Sequence, residues 1–187
     1  MIEEPANRNQ LSEEPSRTLQ EVEGETFFDG VSLEKIANEV GTPTYIYSAK
    51  SFNRQFRELE KAFKGVDSKI FYSVKANSNV NIISLFNQLD SGFDIVSGGE
   101  LHRVVSAGAA PQAIIFSGVG KSVSEIDLAL KAGIDCFNVE SAPELDRIIE
   151  RSRVLGKKPD ISVRINPDID ALTPVSYTHL TLPTNGT

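Results

Sequence analysis

One cysteine, one methionine and no tryptophan occur in 187 residues. A single thiol, Cys136, can neither close an internal disulfide nor share a metal cluster with a second thiol. A disulfide-stapled scaffold and a cysteine-rich metal module are therefore excluded, and a buried structural thiol is the expected role. His102 follows Glu100 and Leu101 with no neighbouring His or Cys, which leaves it a surface or packing residue and no metal site. No apolar run approaches the length of a membrane span. Met1 to Gln10 lack the basic and apolar regions of a secretory signal, so the cytoplasm is expected. Clustered Lys and Arg are also missing: the formal net charge is -7, which argues against nucleic-acid binding, since a phosphate backbone must be met by concentrated positive charge.

Hydrophobic residues at 40% and charged residues at 24% are the composition of a globular protein. Much of the acidity is local. Glu3, Glu4, Glu13, Glu14, Glu21, Glu23 and Glu25 face only Arg8 and Arg17, and residues 1–25 are expected to form a disordered acidic leader. Without it the remainder is mildly acidic, which suits an anionic cofactor held at one local pocket.

Leu33, Ile36, Ala37 and Val40 recur at helical spacing before Gly41. Thr44 to Ser48 reads as a short strand, and a second helix places Phe52, Phe56, Leu59 and Phe63 on one face as core. Beyond Gly65 short apolar strands alternate with helical segments, the mark of βα units. Five strands are expected, at Lys69 to Ala76, Phe93 to Ser97, Ile114 to Ser117, Cys136 to Glu140 and Asp160 to Asn166. Ser97/Glu100, Ser122/Glu125 and Ser141/Glu144 repeat a Ser-x-x-Glu capping box at the strand-to-helix junctions. The repeats imply a parallel α/β sheet; barrel and open sheet both fit them.

Alternation along the first strand puts Phe71, Ser73 and Lys75 on one face, and along the fifth it sets Ile161, Val163 and Ile165 against Ser162, Arg164 and Asn166. In a barrel the polar set faces inward, since helices cover the apolar set. Asp94 interrupts an apolar run and needs a partner. Lys75, Asp94 and Arg164 are thus a candidate charged constellation at strand ends. A desolvated lysine there can attack an aldehyde to form a Schiff base, and a structural lysine at a strand end fits the same pattern. Gly118-Val119-Gly120-Lys121-Ser122 ends like a phosphate-binding loop, yet Ile115 stands where that motif needs glycine; a strand-to-helix turn capped by Ser122 is expected.

Tyr72-Ser73-Val74-Lys75-Ala76-Asn77 resembles the lysine motif of the alanine-racemase-like, fold-type III pyridoxal-phosphate enzymes. The similarity continues through Gly92 to Leu101, Phe116 to Ser122, Asn138 to Ser141 and Val163 to Asp168, five motifs in order at βα spacing. Together they look most like the diaminopimelate decarboxylases. The resemblance implies a TIM-type (β/α)8 barrel, here partial with about five strands, and the first elements of a β domain built from both chain ends. By the same resemblance Lys75 is the catalytic lysine that carries pyridoxal 5'-phosphate, and Ser73, Asp94 and Arg164 line the cofactor pocket, with Asp94 and Arg164 paired. The implied reaction is decarboxylation of meso-2,6-diaminopimelate to lysine by a homodimer, with no nucleic-acid or membrane partner. Ornithine, arginine or carboxynorspermidine decarboxylases of the same fold, and a non-catalytic pyridoxal-phosphate barrel, are the alternatives. Residues 26–50 would then belong to the β domain and 51–173 to a truncated barrel. Residues 174–187 depart from the family pattern, resemble a non-native tail and are set aside. The last barrel strands and the glycine-rich phosphate loop would be missing, which implies an aggregation-prone or inactive fragment.

Overall fold

The structure is a computed structural model and describes residues 18–165. The chain divides into two units, residues 1–68 and 69–187.

In the first unit β1 (Leu19–Val22), β2 (Glu25–Phe28) and β3 (Val31–Ser32) form an antiparallel meander. Its two-residue turns, Glu23-Gly24 and Asp29-Gly30, have positive φ throughout, the geometry that matches the right-handed twist of the strands they join. Residues 18–25, expected in the leader, are thus ordered in part as β1. Ser32 then caps α1 (Leu33–Val40) by accepting from the Lys35 amide at 3.2 Å. Thr44 to Ser48 is not a strand: a strand needs a neighbour to satisfy its backbone, and the described sheet ends at β3. Ser48 instead caps α2 (Ala49–Ala62) and donates its hydroxyl hydrogen to Asp29 in the hairpin turn. Of the expected aromatic face only Phe56 is buried, while Leu59 and Phe63 remain exposed. A small meander does not cover the full length of a 14-residue helix.

The second unit is a five-stranded parallel sheet in the order β4 (Phe71–Ser73), β5 (Gly92–Ile95), β6 (Ile114–Phe116), β7 (Cys136–Val139) and β8 (Asp160–Val163). Between them run α3 (Val80–Gln88), α4 (Gly98–Ser106), α5 (Val123–Ala132) and α6 (Ala142–Leu155). Spatial order equals chain order, without the reversal that defines a doubly wound open sheet. Right-handed crossovers in sequential order put every helix on one face, so the sheet is of the barrel type.

Burial follows that geometry. Phe93, Ile95, Ile114, Phe116 and Phe137 are fully buried and face α3 to α6, where Ile83, Val104, Ile126 and Ile148 meet them. Each such side chain contributes about 1.5–3 kcal/mol. The opposite face carries Ser73, Asp94, Ile115, Cys136, Asn138 and Ser162, and is the interior side of the barrel wall. Tyr72, on the helix side, stacks on Phe86 of α3 with ring centroids 4.1 Å apart.

Only one of the three Ser-x-x-Glu segments closes a full capping box. Ser122 and Glu125 exchange both bonds at the start of α5. Ser97 accepts from the Glu100 amide, but the Glu100 carboxylate takes the Val96 amide at 2.8 Å. Ser141 makes no side-chain cap bond, and Glu144 takes the Glu140 amide at 2.8 Å. Glu100 and Glu144 thus each reach back one residue further than a capping box requires.

Candidate active site at the carboxyl ends of the strands

Strand β4 stops at Ser73, and Val74–Ala76 forms a 3-10 turn. Lys75 therefore stands in the turn at the carboxyl end of β4 and not on the strand as expected. It is exposed, so the described residues do not supply the expected desolvation. The turn itself is held firmly. Val74 is fully buried beneath it, the Tyr72 hydroxyl donates to the Asn77 carbonyl at 3.0 Å, and the Asn77 side chain accepts from the Asn79 amide at 3.0 Å. Asn79 in turn caps α3. Tyr72, Val74 and Asn77 of the motif around Lys75 thus each have a structural task.

Ser73 and Asp94 are directly paired in the β4–β5 register and share the interior face. Ser73 Oγ and Asp94 Oδ1 are buried and have no hydrogen-bond partner among the described residues. A buried polar atom without a partner costs about 1–3 kcal/mol. Two of them side by side, next to the Lys75 turn, fit a bound group that brings its own polar atoms.

The expected pairing of Asp94 with Arg164 is not found. Asp94 lies on β5 and Arg164 directly after β8, three strand spacings away, roughly 14 Å along a sheet. Arg164 instead donates to Glu140 Oε2 at 2.9 Å, and its backbone amide bonds the Val139 carbonyl at 2.9 Å. The Asn138 side-chain amide donates to Ser117 Oγ at 2.8 Å, which joins the ends of β6 and β7.

A second charged pair escaped sequence reasoning. Lys121 Nζ donates to Glu144 Oε1 at 2.9 Å, to the Gly118 carbonyl at 2.9 Å and to the Asn138 carbonyl at 2.8 Å. The two side chains are 1% and 3% exposed. All of the Lys121 donors go to packing, which upholds the reading of Gly118 to Ser122 as a strand-to-helix turn. The signal was present in Glu144, whose capping-box spacing hid its second task. Glu125 also works twice. Its carboxyl is held below the ordinary range by the Gly98 amide (2.9 Å), then by the Ser122 hydroxyl and amide. It thereby links the β5 and β6 loops.

Cys136 is half-buried on the interior face, and burial, followed by Asp135 and Asp160, pushes its thiol up. His102 is exposed on α4. Among the described residues no cluster of three or more His, Cys, Asp or Glu could hold a metal ion, and no helix is long and apolar enough to cross a membrane. Asn166 to Asp168, the end of the fifth motif, lie outside the described residues.

The model of the pyridoxal-binding domain of pyridoxal-dependent decarboxylases matches residues 49–178. The chain belongs to this family. The matched stretch includes Lys75 and the turn that carries it. Among curated decarboxylases, the diaminopimelate decarboxylase of Neisseria meningitidis serogroup B is 50% identical over 147 residues, covering 79% of this chain and 36% of the relative. A solved structure from Aquifex aeolicus superposes with a TM-score of 0.78 at 43% identity, covering 82% of this chain and 38% of its own. Diaminopimelate decarboxylase of Helicobacter pylori, solved in complex with L-lysine, gives 0.72 at 48% identity, over 75% of this chain and 36% of that one. The chain thus spans little more than a third of the length of the decarboxylases it matches.

Proposed function

We propose that this chain is the cofactor-holding part of a diaminopimelate decarboxylase, which converts meso-2,6-diaminopimelate to L-lysine and carbon dioxide. The observation that carries the reading is the pair of buried atoms Ser73 Oγ and Asp94 Oδ1 beside the Lys75 turn, unpartnered among the described residues. The high identity to diaminopimelate decarboxylases supports the choice of substrate.

In this reading Lys75 anchors pyridoxal phosphate covalently through its amine, and Ser73, Asp94 and Arg164 line the pocket. When bound, the cofactor supplies an electron sink for the pair released as carbon dioxide departs. The chain's own residues bind and orient. The buried Val74 and the Tyr72–Asn77 bond hold the lysine turn in place, so that the amine presents to one position. Ser73 and Asp94 contribute polar atoms whose unmet bonding favours a polar ligand. The complete protein is proposed to act as a homodimer in the cytoplasm.

The test is reduction with borohydride in the presence of pyridoxal phosphate, followed by peptide mapping. A reduced adduct on Lys75, absent in Lys75→Ala, is expected; an adduct elsewhere or none overturns the lysine assignment. Lysine released from meso-diaminopimelate by the complete gene product supports the substrate. Turnover of ornithine or arginine in its place refutes it.

A further inference from the structure

Arg164 is held by a side chain of its own chain, Glu140. It follows β8 on the parity of Ser162, and Glu140 follows β7 on the parity of Asn138. Since Asn138 and Ser162 are register partners, Glu140 and Arg164 are the next interior-facing neighbours at the carboxyl rim. Their ion pair is 2.9 Å long, and the glutamate is the better shielded partner, at 15% exposure against 43%.

What holds Glu140 is equally specific. Its backbone amide donates to Glu144 Oε2 at 2.8 Å, and the other oxygen of that carboxylate is bound by the buried Lys121. Lys121 also grips the Asn138 carbonyl at 2.8 Å, two residues before Glu140. The end of β7 is thus pinned from the β6 loop and from the first turn of α6. Arginine carries much rotamer freedom, and a pocket that must orient a guanidinium loses affinity if that freedom is frozen only on binding.

We infer that Glu140 is a positioning residue for the cofactor pocket: its backbone is held by the Lys121–Glu144 pair, and from there its carboxylate presets the Arg164 guanidinium and balances its charge. The inference rests on the reading that Arg164 lines the pyridoxal phosphate pocket, and it adds that Glu140 acts through Arg164 and not through direct contact.

The experiment is a double-mutant cycle on the complete gene product, with pyridoxal phosphate itself as the probe. Cofactor dissociation constants and the absorption maximum of the bound cofactor are measured for the native protein, Glu140→Gln, Arg164→Gln and the double variant. Glu140→Gln is expected to weaken binding about tenfold and to move the absorption band, and to do neither once Arg164 is already glutamine. Equal effects of Glu140→Gln in both backgrounds overturn the inference while leaving Arg164 in the pocket. An Arg164→Gln variant that binds as the native protein does overturns the pocket reading and the inference together. Urea midpoints identify variants that fail to fold. Should Glu140→Gln be one, Glu140→Asp, which keeps the charge and withdraws it by one methylene, takes its place with the same expected coupling.

Discussion

Replacing Lys121 by methionine should destabilise the protein by about 3–5 kcal/mol, the cost of removing one partner of a desolvated ion pair. Methionine nearly preserves the volume of the lysine stem, so packing against Phe116, whose ring centre lies 5.4 Å from Nζ, is largely kept. The loss is electrostatic. Glu144 Oε1 would be left without its cation in a site where the carboxylate side chain is 3% exposed, retaining only the Glu140 amide on Oε2. The Gly118 and Asn138 carbonyls would each lose a charged donor at 2.9 and 2.8 Å. With a urea slope of roughly 2 kcal/mol/M, the unfolding midpoint should fall by about 2 M. Glu144→Gln should also destabilise, because an amide oxygen turned to Lys121 leaves its NH2 facing the Glu140 N–H and the ammonium without an anion. The double variant should cost less than the sum, with a coupling of about 0.5–3 kcal/mol. A Lys121→Met midpoint within about 0.5 M of the native value would show that water reaches the pair and would refute the reasoning.

Two further outcomes test the strand-to-helix junctions. Ser122→Ala should cost about 1 kcal/mol because its hydroxyl closes a capping box, whereas Ser141→Ala, with no cap bond to lose, should stay within about 0.5 kcal/mol in the same denaturation assay. Glu125 has a folded-state pKa below its unfolded value, so its contribution is complete above the ordinary carboxylate pKa of about 4.3 and is lost as pH falls through the lowered folded value. Glu125→Gln should therefore be less stable by about 1 kcal/mol at pH 7, its partial exposure considered, and the gap should close toward pH 3. A gap that stays constant with pH refutes the assignment.

The five strands, the four helices between them and the capped starts at Ser97 and Ser122 were legible in the amino-acid order, because each rests on local period and capping chemistry. Alternation put Phe71 and Ser73 on one face of the first strand, a matter of β-pleat geometry alone, while the pairing of Ser73 with Asp94 needed the β4–β5 register. The two X-Gly hairpins at Glu23-Gly24 and Asp29-Gly30 were also written locally, but acidic composition masked them. What local order could not decide was whatever depends on a neighbour distant in sequence. Alternation fails at Lys75 because β4 ends two residues earlier, where its ladder with β5 stops. Arg164 chose Glu140 over Asp94 because strand order, visible only once the sheet is assembled, puts β7 beside β8 and β5 three strands away.

The same holds for the sheet's kind. Strand periodicity is identical in a barrel wall and an open sheet, and only sequential spatial order, with all helices on one face, separates them. Lys121 and Glu144 make the point most sharply. Alone, one looks like part of a phosphate loop and the other like a helix cap. Folding brings them to 2.9 Å in a dry site, where neither charge could remain without the other. Residue order thus determined which elements form and which faces they bury, through short-range sterics and periodicity; tertiary structure decided which charges meet, since desolvation and pairing are properties of assembled neighbours.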